Sequence, residues 1–129
     1  MTDVLLDTTF VIDLRRGDQS AREIWQQIRQ RSIAASYSSI TAYELWLSKD
    51  LNSSDEAIFR VLFTFLEEAP LTVDAAAQTA IWLRDMPRRT RDRRLRDAFI
   101  AASAAERGEP VYTRNVRDFA RFYPNVSSY

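Results

Sequence analysis

Cysteine and histidine are both missing from this sequence of 129 residues. Their absence excludes disulfide scaffolds, thiol nucleophiles, Ser-His-Asp triads and zinc sites built from these residues. Glycine occurs only at Gly17 and Gly108, so no glycine-rich loop can cradle phosphates or a dinucleotide. Any catalysis must therefore depend on carboxylates, hydroxyls, amides, arginine or a hard metal ion held by oxygen ligands.

Long apolar runs are also missing. No stretch approaches the roughly 18 apolar residues of a membrane span, and no basic segment precedes the first apolar residues. We therefore expect a soluble, cytoplasmic protein without a membrane partner. Hydrophobic residues make up 46% of the chain and charged residues 28%, which is enough to build a core. At this length we expect a single domain over residues 1–129.

Charge of one sign does not dominate the chain, because 18 basic and 18 acidic residues cancel. The distribution is uneven: Lys49 is the only lysine, and seven arginines lie between Arg84 and Arg96. Only Asp85 and Asp92 oppose them there, so this stretch carries a charge of +5. Arginine is the residue best suited to bidentate contacts with phosphate or carboxylate.

Short apolar strands alternate with amphipathic helices along the chain, and hairpin dipeptides are absent. This alternation predicts an α/β fold with a mainly parallel sheet and helices on both faces. Extended segments are predicted at 4–6, 33–35, 70–73, 111–112 and near 126. Helices are predicted at 8–16, 18–30, 38–51, 53–66, 74–86 and 95–107, with a short one after 115. The arginine-rich stretch is predicted to be the loop that precedes the helix at 95–107.

Four acids stand where this fold would place a site, since ligands bind beyond the carboxyl ends of parallel strands. Asp7 follows the first strand, although it could simply cap the next helix. Glu44 interrupts an apolar stripe, although a salt bridge or an edge position would also explain it. Asp97 is predicted in the first turn of a helix, where the helix dipole favours acids. Asp118 lies three residues after Asn115, as in a capping arrangement.

Taken together, the four acids predict one shared site. Each follows, or begins a helix that follows, a predicted strand or the arginine-rich loop. Convergent carboxylates repel one another, and a bound Mg²⁺ or Mn²⁺ ion usually neutralises this repulsion. A metal ion held in this way activates water and shields a phosphodiester, so the residues themselves predict hydrolysis of nucleic acid.

The same residues, in this order, resemble the PIN-domain ribonucleases, in particular the toxin subunits of type II toxin–antitoxin pairs (VapC-like). LLDTTFVIDLRRG resembles the family's first strand, first acid and hydroxyl-bearing helix. SSITAYELWLS resembles its second block, although Leu47 stands where a small residue is common. LRDAFIAASAAERGEPVYTRNVRDF resembles its third block, with the third acid, an alanine-rich helix, a strand and the Thr-x-Asn-x-x-Asp ending.

The resemblance implies a three-layer α/β/α fold and a role for each matching residue. Asp7 and Asp97 would be the principal ligands of Mg²⁺ (or Mn²⁺), Glu44 would bind it directly or through water, and Asp118 would complete the pocket. Hydroxyls would come from Thr8 or Thr9 and from Thr113, and Asn115 would orient the loop that carries Asp118. The resemblance also implies cleavage of RNA (tRNA or rRNA) to a 5′-phosphate end, a homodimer and an antitoxin partner.

Two questions stay open at this point. The arginines of the predicted loop either pair with the protein's own acids or contact RNA or antitoxin; the candidates are Arg88, Arg89, Arg91, Arg93 and Arg94. The alternative function is a non-catalytic RNA-binding or scaffold protein with the same fold. Phosphotransfer receiver domains and haloacid-type phosphatases are excluded, because the former need paired acids at the first strand and the latter an aspartate where Thr9 stands.

Overall fold

A parallel sheet of five short strands lies at the centre of the computed structural model, which describes residues 2–129. The strands run in the order β3-β2-β1-β4-β5, and each pairs in parallel with its neighbours. Their bounds are β1 Val4–Leu6, β2 Ala35–Ser38, β3 Glu67–Ala69, β4 Val111–Tyr112 and β5 Val126–Ser127. The predicted sheet is therefore confirmed.

Seven helices connect these strands in the described part of the chain. They are α1 Thr8–Arg16, α2 Gln19–Arg29, α3 Ser39–Trp46, α4 Ser53–Thr64, α5 Val73–Leu83, α6 Arg88–Arg107 and α7 Val116–Ala120. Gly17 and Gly108 end α1 and α6 in the left-handed conformation, with φ of 84° and 68°. Because a side chain is strained at such positive φ values, the only two glycines of the sequence both serve as helix C-caps.

The central strand β1 divides the interior into two cores, since its successive side chains point to opposite faces. Val4 and Leu6 pack with residues of α1 to α4, among them Phe10 and Phe59. Leu5 packs on the other face with residues of α6 and α7, which include Ile100, Ala101, Ala104 and Phe119. The molecule thus has the predicted three-layer α/β/α architecture. No helix in residues 2–129 is long and apolar enough to cross a membrane.

The arginine-rich stretch is helical, which corrects the prediction of a loop. Pro87 is the N-cap of α6, and the helix then runs for 20 residues through all the arginines from Arg88 onward. Five of the seven residues 88–94 are arginine, a strong helix former, so local propensity favours extending the helix back before Leu95. Asp97 consequently lies in the middle of α6, and the helix-dipole explanation for it is wrong.

The second and third strands were misplaced by the sequence pattern. β2 uses Ser36 and Ser38, which were predicted to form a turn, and both are fully buried. Ser36 donates its hydroxyl to Glu109 at 2.6 Å, so a partner distant in the sequence satisfies a polar residue inside the sheet. β3 begins with two exposed glutamates at the sheet edge, where no apolar pattern indicates a strand.

Helix α3 is shorter and less buried than predicted. It ends at Trp46, and its buried residues are Thr41 and Leu45. Tyr43 and Leu47, predicted to face inward, are 54% and 56% exposed. The apolar stripe through Glu44 is therefore a partly solvated surface of the molecule.

Candidate active site

Asp7 lies at the carboxyl end of β1, and its carboxylate is enclosed by donors. Oδ1 accepts from the backbone N–H of Thr8 at 2.7 Å, while Oδ2 accepts from Thr9 Oγ1 at 2.9 Å and from Thr113 Oγ1 at 2.8 Å. Only 3% of Asp7 is exposed, and burial raises its pKa despite these hydrogen bonds. Asp7 is also the N-cap of α1, so the capping explanation holds alongside its place in the site.

Thr113 connects the end of β4 to the segment that carries Asp118. Besides donating to Asp7, its hydroxyl accepts from the backbone N–H of Asn115 at 2.9 Å. Asn115 occupies the N-cap position of α7, but its side chain makes no capping hydrogen bond. Its backbone carbonyl accepts from the N–H of Asp118 at 3.0 Å, so the turn itself sets the direction of this segment.

Glu44 reaches the same region from α3. Thr8 Oγ1 donates to Glu44 Oε1 at 2.7 Å and also lies 3.0 Å from Thr41 Oγ1. Arg96 Nε lies 3.4 Å from Glu44 Oε2. Partial burial is the main cause that raises the pKa of Glu44, and the negative charge of Asp7 acts in the same direction.

Asp97 lies between the other acids. Its pKa is raised to about 6, first by partial burial and then by the negative charges of Asp7, Glu44 and Asp118. Arg94 opposes this shift. No hydrogen bond or ion pair formed within residues 2–129 uses the Asp97 carboxylate. Two helices and the end of β1 therefore bring the other three predicted acids within electrostatic reach of Asp97 on α6.

The sequence model of the PIN domain family matches residues 4–123. The chain belongs to the PIN domain family. No curated protein matches it in sequence.

Solved structures of toxin–antitoxin complexes contain chains similar to this PIN domain. A VapBC complex from Salmonella typhimurium, crystallised bound to DNA, matches with a TM-score of 0.75 at 26% identity, over 100% of this chain and 98% of that one. A toxin–antitoxin complex from Klebsiella pneumoniae matches with a TM-score of 0.71 at 24% identity, over 97% and 96%. FitAcB from Neisseria gonorrhoeae has a TM-score of 0.70 at 19% identity, over 98% and 96%. The resemblance to VapC-like PIN toxins is thereby confirmed.

The donor set of this PIN domain has the chemistry that Mg²⁺ requires, namely carboxylate and hydroxyl oxygens. As the side chains lie, no three acids of residues 2–129 meet the geometry for holding one ion. Two of the four carboxylates are instead held by arginines: Glu44 by Arg96, and Asp118 by Arg94 at 3.1 Å. A bound cation would stabilise the ionised form of the unpaired Asp97 carboxylate and would thereby lower its raised pKa. The side-chain oxygens of these residues are therefore of the type that binds Mg²⁺.

The structure separates the arginines that the sequence grouped together. Arg94 is only 14% exposed in its side chain and faces inward to Asp118. Arg88, Arg89 and Arg93 are exposed, and Arg91 is 43% exposed. Arg96 was not among the predicted contact residues, although it directly precedes Asp97 in the sequence and contacts the site. Thr41, which contacts Thr8, was also not predicted as a site residue. Its position three residues before Glu44, on the same side of the helix, was the available signal.

Proposed function

We propose that this PIN domain is a metal-dependent endoribonuclease toxin that a cognate antitoxin neutralises. One observation carries the proposal: the pKa of Asp97 is raised to about 6 amid three other carboxylates. Burial and repulsion of this kind cost stability, and acids with perturbed pKa values cluster at functional sites. The family supports ribonuclease chemistry, and the matched toxin–antitoxin complexes support the biological setting.

Asp7 and Asp97 would be the principal ligands of Mg²⁺ (or Mn²⁺), with Glu44 binding directly or through water and Asp118 completing the pocket. When bound, the ion supplies Lewis-acid polarisation of the phosphate and lowers the pKa of its water. The threonines preorganise the carboxylates: Thr9 and Thr113 orient Asp7, and Thr8 orients Glu44. Hydrolysis would leave the 5′-phosphate end that the family resemblance implies.

The substrate is proposed to be cytoplasmic RNA, either tRNA or rRNA. A cleft of about 410 Å³ beside Glu44 offers room at the site and is lined by Ile12, Arg15, Arg16 and Leu51 among others. Arg15 pairs with Asp55 at 2.9 Å, so Arg16 supplies the positive charge of the entrance beside Glu44. This combination suits RNA, because cations attract its phosphates and apolar side chains contact its bases.

The proposed antitoxin would dock at a groove where α4 faces α1 and α2. The groove encloses about 550 Å³, and Leu14, Trp25 and Leu62 contribute to its mainly apolar lining. Ile58 and Val61 at its edge are 54% and 59% exposed, which is a large apolar surface for an isolated chain. We propose that an apolar segment of the antitoxin covers it. Ile58→Asp should then abolish co-purification with the cognate antitoxin while leaving the melting temperature unchanged, and an intact complex would exclude this groove.

A homodimer is also proposed, on the strength of the family resemblance. Tyr43 of α3 and Leu47, which directly follows the helix, form an exposed apolar surface that a second copy could cover. Light scattering of the purified chain tests this assembly. A monomer at micromolar concentration would contradict it.

The alternative function, a non-catalytic RNA-binding or scaffold protein, makes a different prediction about metal. Purified protein is incubated with labelled total RNA in Mg²⁺, in Mn²⁺ and in excess chelator, beside an Asp97→Asn variant. The toxin proposal predicts discrete cleavage products with 5′-phosphate ends in metal only, and a loss of at least about 10–100-fold in the variant. RNA binding without cleavage in any metal would favour the alternative.

A further inference from the structure

The first half of α6 extends beyond the sheet next to the acidic site. Every residue from Ala98 to Ala104 except Phe99 is buried, whereas none from Arg88 to Asp97 is. The C-terminal end of α6 leads to Glu109, which contacts Ser36 of β2, and to Pro110, whose carbonyl accepts from the N–H of Leu5 in β1. The N-terminal half therefore lies past the carboxyl ends of the strands, and its ten residues span about 15 Å.

Three arginines of this half share a face with Asp97. Arg89, Arg93 and Asp97 follow one another at intervals of four residues, so they form a single stripe along the helix. Arg96 adjoins Asp97 and lies three residues after Arg93, which places it beside the same stripe. Successive members of the stripe are one turn apart, or about 6 Å along the axis.

Other arginines of this half take part in ion pairs, including Arg94 with Asp118. Arg88 and Arg91 each lie 3.9 Å from Asp92, and Arg91 and Asp92 border a cleft against α5. Asp92 therefore compensates the arginines on the α5 side of the helix. Arg89 and Arg93 are exposed and form no ion pair within residues 2–129. The uncompensated positive charge of α6 is thus concentrated on the face that leads to Asp97.

We propose that Arg89, Arg93 and Arg96, the arginine stripe, bind the phosphate backbone of a single-stranded RNA and lead it to the acidic site. The proposal rests on the proposed ribonuclease function and identifies which surface holds the substrate. Arg96 is the inner member, because it is 47% exposed and its partner Glu44 belongs to the acidic site. Arg89 and Arg93 contact phosphates farther from the cleavage position. Single-strand binding through a positive track with little sequence preference is established physical behaviour.

The test compares two double variants with the same change of charge on the same exposed helix. Arg89→Ala/Arg93→Ala removes the outer stripe, and Arg88→Ala/Arg91→Ala is the matched control. Binding of a fluorescent, mixed-sequence single-stranded RNA is measured by anisotropy over a range of salt concentrations, in chelator so that no cleavage occurs. Each lost phosphate contact should reduce the log–log salt slope by about 0.7, so the stripe variant should lose about 1.4 and the control almost nothing. Arg89→Lys/Arg93→Lys should keep the wild-type slope.

Three results would contradict the proposal that the arginine stripe binds RNA. Equal losses in both double variants would show that net charge alone attracts RNA. No loss in either would show that α6 does not contact RNA. If polyglutamate binding depends on Arg89 and Arg93 while RNA binding does not, the stripe contacts an acidic protein instead. Cleavage is assayed separately in Mg²⁺. A protein that binds RNA through the stripe without cleaving it would contradict the proposed ribonuclease function but would still support RNA binding by the stripe.

Discussion

Thr113 Oγ1 donates a 2.8 Å hydrogen bond to Asp7 Oδ2, although 106 residues separate them in the sequence. The bond joins the ends of the neighbouring parallel strands β1 and β4, which pair through Leu6 and Tyr112. Both residues are buried. The orientation of the Asp7 carboxylate therefore depends on the assembled sheet rather than on its own helix alone.

Replacing Thr113 by Val should disturb the site through this bond. Val has a similar shape, but it removes the donor to Asp7 and the acceptor for the N–H of Asn115. We expect the free energy of unfolding to fall by about 1–3 kcal/mol, because buried polar groups lose their partners. Thr113→Ser should restore most of the stability and most of any RNA cleavage. Urea denaturation of the three proteins measures the effect, and a Val variant as stable as the wild type would contradict it.

Mg²⁺ should stabilise the folded chain, and Asp97 should be necessary for that effect. At 100 times Kd, an ion that binds only the folded state adds roughly 2.7 kcal/mol. Asp97→Asn should be at least as stable as the wild type in chelator, since it removes repulsion, and should lose most of the gain in Mg²⁺. Asp7→Asn should also lose the gain in Mg²⁺. It should be less stable in chelator, because an amide nitrogen cannot accept from Thr9 and Thr113 although Asn preserves the cap of α1.

Thermal melts in chelator and in millimolar Mg²⁺ measure this difference. Asp92→Asn is the matched control, because Asp92 is an exposed acid of the same helix on a different face from Asp97. It should respond to Mg²⁺ as the wild type does. A Mg²⁺ effect that survives in Asp97→Asn would remove Asp97 from the metal site.

The raised pKa of Asp97 predicts a pH dependence of stability in chelator. Its value of about 6 exceeds the unperturbed 3.8, so the folded state holds more protons than the unfolded state between these values. Stability should therefore decrease as pH rises through this window and stop changing above it. Partial solvent exposure limits the change to on the order of 1 kcal/mol.

Asp97→Asn isolates this contribution, since it has no proton to lose. The difference in unfolding free energy between variant and wild type should grow from pH 4.5 to pH 6.5 and then stay constant. Mg²⁺ competes with the proton, so its affinity for the wild type should fall below pH 6. A difference that does not vary with pH would contradict the placement of Asp97 among the other acids.

The two arginines that hold carboxylates should behave differently when they are removed. Arg94 is mostly buried and ties α6 to Asp118 of α7, whereas Arg96 is half exposed over Glu44. Arg94→Ala should lower the free energy of unfolding by about 1–3 kcal/mol, because it leaves the partly buried carboxylate of Asp118 without its partner. Arg96→Ala should change it by less than about 0.5 kcal/mol. Chemical denaturation in chelator compares them, and equal losses would refute this distinction.

Much of the fold was accessible from local sequence pattern. An apolar run ending at Asp7 predicts β1, and apolar residues at helical spacing predict α1, α2 and α4 within a few residues. These signals are local, because strand and helix periodicity depend on neighbours in the chain. The four acids could also be selected from the sequence, because each lies after a predicted strand or in a helix that follows a strand or the arginine-rich stretch, and because the family's blocks surround them.

Only the tertiary structure decided how these elements meet. The burial of Ser36 within β2 depends on Glu109, and the separation of Arg94 from the other arginines depends on Asp118, which lies 24 residues away. The extension of α6 back to Arg88 moved Asp97 from a helix end to a place between three other carboxylates. Sequence thus determined which groups are available and which elements carry them. Contacts between distant segments determined which charges are compensated, since burial and pairing depend on distances in space that no local pattern encodes.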